Sequence, residues 1–149
     1  MRIAAVVFAA ALTLTPAAAS PSIEEIFRAF GLFGNWATDC NQPATLANPH
    51  VLISKLDAGA VIEEHDLGAD FARNRYSVLS AQRISATRLS VAVLFQAGTG
   101  GEERQNLAFL IRNGTRRTMF NQPESGPVRV LDGIALAQGV KTPVLKKCQ

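Results

Sequence analysis

Glu103-Arg-Gln-Asn-Leu-Ala-Phe-Leu-Ile-Arg-Asn-Gly-Thr-Arg-Arg-Thr-Met-Phe-Asn-Gln122 is the stretch that decides the fold. Leu107, Phe109 and Ile111 recur at every second position, the period of a strand with one buried face. Asn113-Gly114 follows at once. That pair tolerates positive φ at both central positions of a type I′ turn, the turn whose twist matches paired strands. Thr115–Gln122 then returns, so 103–122 reads as an antiparallel hairpin.

The same grammar extends in both directions. Upstream, Arg88–Gln96 sets Leu89, Val91, Val93 and Phe95 on one face, and the short turn Ser85-Ala-Thr87 joins it to Tyr76–Ile84. Val51–Leu56 and Ala60–Leu67 flank the turn Asp57-Ala-Gly59. The segment Gly68–Asn74 fits either a helical turn or a wide loop, and Gly98-Thr-Gly-Gly101 reads as a hairpin loop. Downstream, Val128–Leu131, the turn Asp132-Gly133, Ile134–Leu136 and Pro143–Cys148 supply shorter strand candidates. Eight or nine short strands with tight turns, and no intervening helix long enough for a parallel crossover, predict an antiparallel meander.

At the front, Ser22-Ile-Glu-Glu25 is a capping box. Ile23, Ile26, Phe27 and Phe30 then share one helical face, and Gly31 is a stop. A short helix over 22–30 is expected to pack on the core as a lid. Its length and its single polar-face cation, Arg28, argue against a membrane-surface role.

Met1 and Arg2 precede an apolar run from Ile3 to Leu14, then Pro16 and Ala17-Ala18-Ala19. These are the three parts of a secretory signal peptide, cleaved after Ala19. The run is shorter than the ~20 residues needed to span a bilayer. Residues 1–19 are therefore expected to be a leader and 20–149 a single soluble domain, with no transmembrane segment in the mature chain. The Ala-rich leader resembles bacterial ones, which implies a periplasmic or secreted protein.

Export changes the reading of the two cysteines. In an oxidising compartment an even count reads as a disulfide, and Cys40–Cys148 is the one intramolecular pairing available. No CxxC spacing and no nearby His supports a metal-binding or reactive thiol. The bridge brings the first segment after the helix beside the C-terminus, as a closed sheet does when its first and last strands are neighbours. The favoured architecture is all-β, an antiparallel up-and-down barrel of about eight strands with a short N-terminal helix. A two-sheet β-sandwich is the alternative.

Gly34-Asn35-Trp36, after a short helix and at the start of a strand meander, resembles the G-x-W signature of lipocalins and their calycin relatives. The resemblance implies that the helix closes one barrel end, that Trp36 packs across it, and that a cation stacks on the indole. Arg129 and Lys146 are the candidates for that cation. The family's Thr-Asp-Tyr triplet is absent, Asn74-Arg75-Tyr76 being no match.

Catalytic patterns are sparse. There is no G-x-S-x-G, no P-loop and no dinucleotide fingerprint. His50 and His65 are the only histidines. Glu63-Glu64-His65-Asp66 is the densest titratable cluster. On a strand only Glu63 and His65 share a face, too few for a closed metal site, so the cluster reads as a solvated edge strand. Asp39 and Glu63 are carboxylates that nothing in the pattern selects for glycosidase chemistry. No catalytic residue, metal or cofactor is assigned.

The chain carries a net charge of +3, and its cations concentrate after residue 100. Arg112, Arg116 and Arg117 surround the Asn113-Gly114 turn, which suggests a contact for an anionic envelope partner or a solubilising, edge-protecting cluster. Export and the lack of interleaved aromatics argue against nucleic acid.

Two functions follow. The first is an exported, non-catalytic barrel that binds a small apolar or amphipathic ligand, its cavity lined by Leu89, Val91, Val93, Phe95, Leu107, Phe109 and Ile111. The second is a surface-acting envelope protein, such as an inhibitor of a cell-wall hydrolase or a subunit of an envelope complex, touching its partner through the arginine hairpin.

Overall fold

The computed structural model describes residues 19–149; the leader reading at 1–18 lies outside them. One helix, α1 (Ile23–Ala29), precedes eleven strands: β1 (Gly34–Ala37), β2 (His50–Lys55), β3 (Val61–Asp66), β4 (Asn74–Arg83), β5 (Arg88–Phe95), β6 (Glu103–Arg112), β7 (Thr115–Pro123), β8 (Val130–Leu131), β9 (Ile134–Ala135), β10 (Val140–Lys141) and β11 (Val144–Lys147). β1 to β7 pair in sequence order, and β11 inserts between β7 and β1. The result is a closed antiparallel barrel of eight strands. β8, β9 and β10 form a small outlying meander whose first strand extends the free half of β7 at Asn121.

Local chemistry explains the closure. Asn113 and Gly114 have φ of 52° and 68°, as a type I′ turn requires. That turn sets Ile111 opposite Arg116 and Arg112 opposite Thr115. β4 and β7 each carry a bulge, at Leu79 and Met119. A bulge bends its strand and re-aims every side chain beyond it, so Asn121 takes the inward position that strict alternation would give Phe120. Cys40 and Cys148 form the expected disulfide, with Cα atoms 5.6 Å apart, and tie the loop after β1 to the end of β11.

α1 closes one end. Its capping box forms as expected, Ser22 and Glu25 exchanging hydrogen bonds. Ile26 and Phe27 are buried against the barrel, and Lys55 reaches Glu24 at 3.0 Å. Trp36 is 1% exposed and donates its indole N–H to Leu32 O at 2.8 Å. The cation beside the indole is neither Arg129 nor Lys146. Lys147, directly opposite Trp36 in the β1–β11 register, has Nζ 5.8 Å from the ring centroid and donates to Gly31 O. Arg129 sits at the other end in a two-pronged ion pair with Glu103 at 2.7 Å. The helix-side half of the interior is filled by Phe27, Leu32, Trp36, Ile53, Leu89, Val91 and Ile111.

Candidate functional site

At the end away from α1 the interior is not filled. A cavity of about 180 Å³ lies there, with Val93, Leu107 and Phe109 as its apolar wall and Val130 and Pro143 at its rim. Its remaining walls are polar: Glu63, His65, Tyr76, Arg116, Thr118, Asn121 and Thr142. A larger concavity, about 670 Å³, is an exterior groove between residues 19–21, α1 and the end of β4. Its lining is mostly exposed and holds no buried polar side chain, so the smaller interior space is the candidate site.

Of the seven apolar residues expected to line a cavity, Val93, Leu107 and Phe109 do so. Leu89, Val91 and Ile111 point inward as expected but belong to the packed core. Phe95 stacks on Tyr76, with ring centroids 5.0 Å apart, and does not reach the space.

The polar walls correct two readings of the sequence. β3 is no solvated edge strand; it pairs with β2 and β4, and Glu63 is 7% exposed inside the barrel. Arg116 is no surface contact; it is 4% exposed and turned inward, while Arg112 stays exposed. Arg117 is half-buried and pins the outlying meander, donating to Gly133 O at 2.6 Å. Gly133 has φ +74°, and a Cβ there would meet the Arg117 guanidinium at 2.7 Å, so a larger residue would strain the backbone and move that guanidinium off Gly133 O.

Two hydrogen-bond relays converge on the cavity. In the first, Glu63 Oε1 accepts from Arg116 Nη2 at 2.5 Å and contacts His65 Nε2 at 2.7 Å. The guanidinium also lies over the Phe109 ring, 4.1 Å from its centroid. Burial by itself would raise the Glu63 carboxyl, but the Arg116 charge and the His65 bond outweigh it and hold it down to about 2. The relay ends at Arg116 Nη1, which is buried and has no partner.

The second relay starts at the rim. Arg129 grips Glu103, holding its carboxyl below the usual range; Glu103 Oε1 accepts from Gln105 Nε2 at 2.6 Å, and Gln105 Oε1 accepts from Asn121 Nδ2 at 3.0 Å. Because a carboxylate only accepts, the chain fixes both amide orientations. It ends at Asn121 Oδ1, again buried and unpaired. Beside these, burial pushes the Tyr76 phenol up to about 12, with the Glu63 carboxylate adding to the effect, so its hydroxyl keeps its proton.

An unpaired buried polar atom costs about 1–3 kcal/mol, more when charged, and native proteins carry few of them. Here an unpaired donor and an unpaired acceptor belong to side chains that line one space. A carboxylate held near 2 is a poor general base at neutral pH, and it is already committed to two partners. Among the described residues no group of three or more His, Cys, Asp or Glu is placed to hold a metal ion, and no helix is long and apolar enough to cross a membrane.

Compared with known proteins, the chain matches no family model, no curated protein and no solved structure.

Proposed function

We propose that this is an exported barrel that binds one small amphipathic molecule in the cavity at its open end and does not transform it. The observation that carries the reading is a half-open space whose apolar wall adjoins two side chains, Arg116 and Asn121, each keeping a buried polar atom without a partner. Size sets the ligand class. An apolar cavity of ~150 Å³ holds one benzene, so this one accepts a single ring or a short chain with a polar head. Fatty acids and polycyclic compounds exceed it. The Cys40–Cys148 bridge supports export, since such bonds persist in oxidising compartments. A helix-capped eight-stranded barrel with Trp36 at its closed end and a cation beside the indole supports kinship with lipocalins and calycins. The surface-acting alternative loses one of its three cations, because Arg116 faces inward.

Native mass spectrometry of protein purified from its own envelope tests this, together with thermal shifts across a panel of single-ring and short-chain compounds. A co-purifying molecule or a specific stabilisation is expected, abolished by Val93→Phe, which fills the cavity. No bound molecule and no shift across the panel would overturn the reading.

A further inference from the structure

We propose that the cavity selects a small uncharged carboxamide or lactam, which draws Arg116 Nη1 and Asn121 Oδ1, both sealed from the empty space, into bonds with its carbonyl oxygen and its N–H. The inference rests on the reading of the cavity as a binding site and names what that site recognises.

Charge decides between ligand classes. The Arg116 guanidinium is neutralised by Glu63 at 2.5 Å, so the cavity wall offers a hydrogen-bond donor and not a net positive charge. A ligand carboxylate on Nη1 would sit close to the buried Glu63 carboxylate, where the protein screens repulsion less than bulk water does. A neutral carbonyl oxygen meets no such repulsion. Asn121 Oδ1 can only accept, so the same ligand must also donate. A ketone only accepts, and an alcohol must donate and accept through one oxygen; an amide carries the acceptor and the donor on two separate atoms of one planar group. A pure hydrocarbon would leave both protein atoms as they already are, buried without a partner, whereas an amide would satisfy them. The apolar body of the ligand then lies against Val93, Leu107 and Phe109.

Calorimetric titration of the full mature chain with benzamide, benzoate and ethylbenzene tests the proposal. The three probes share one phenyl ring with a short substituent and differ in charge and hydrogen bonding. Benzamide is expected to bind about tenfold or more tighter than either of the others. Ethylbenzene binding as tightly would overturn amide recognition while leaving the cavity reading intact. Benzoate binding tightest would overturn neutrality, again with the cavity intact. Silence from all three would overturn both. In Asn121→Leu, benzamide is expected to lose about tenfold in affinity while ethylbenzene is unchanged; an equal loss for both overturns the role of Oδ1. If that variant does not fold, the three-probe comparison on the unaltered chain decides alone.

Discussion

Arg116 and Glu63, 53 residues apart in sequence, meet inside the barrel with Nη2 2.5 Å from Oε1. β7 supplies the cation and β3 the anion. The pair spans the interior where the packed, helix-capped half gives way to the open half. Two charges taken out of water are costly to desolvate, and their attraction offsets that only while both remain. Arg116→Met alone is therefore expected to cost about 3–5 kcal/mol, by stranding Glu63. The double variant Glu63→Leu with Arg116→Met should recover most of that loss. Urea unfolding of the two singles and the double checks this; additive losses would show that the two side chains do not act as a pair.

The same pair is expected to make the fold lose stability in acid. The Glu63 carboxyl lies at about 2 in the folded protein, below its ordinary 4.5. Its stabilisation is thus fully present above the unfolded value and is lost as pH falls toward 2. The amount is on the order of 3 kcal/mol, from the linkage between a pKa difference and stability. Urea midpoints of the wild type should fall between about pH 5 and about pH 2, and those of Glu63→Gln should fall less over that window. Parallel profiles would remove Glu63 as the cause.

Much of this barrel was legible in the sequence, and the misses have physical causes. Alternation in Arg88–Phe95 and Glu103–Arg112, with the Asn113-Gly114 turn, gave the hairpins because one face is apolar and the turn fixes register. The capping box gave the helix. The inward turn of Arg116 was also available: a two-residue turn places position 116 opposite Ile111, and Ile111 already faces inward. Charge made it look like a surface residue. Glu63 hid in the same way, since three titratable residues follow it. Asn121 was hidden by geometry, because the bulge at Met119 breaks the period that a sequence reading follows. Lys147 was overlooked because the stacking cation depends on the β1–β11 register, which sequence spacing does not reveal.

The arginine hairpin divides into different roles. Arg112 is exposed, so Arg112→Ser should change stability by less than about 0.5 kcal/mol. Arg117→Ser removes the bonds to Gly133 O and Thr142 Oγ1 that hold the outlying meander. It should speed amide hydrogen exchange across 130–141 while leaving β1 to β6 protected. Uniform exchange across the barrel would instead make Arg117 part of the global core.

Trp36 is the largest side chain fully buried in the fold, and its indole N–H is satisfied by Leu32 O. It packs where the helix, the first strand and the last strand meet. Trp36→Ala removes a large buried volume and should cost about 3–5 kcal/mol. Trp36→Phe keeps most of that volume but leaves Leu32 O without the indole donor, and it should cost less. Cys148→Ser loosens the same corner differently. Opening a loop of 108 residues returns chain entropy to the unfolded state, worth up to about 5 kcal/mol in the loop-closure model. Thermal melts under reducing and non-reducing conditions separate the two effects. The wild type should lose stability on reduction and show no free thiol before it, whereas Cys148→Ser should be insensitive to reductant. A wild type whose melting is unchanged by reductant would mean that β11 is held to β1 and β7 by its ladders alone.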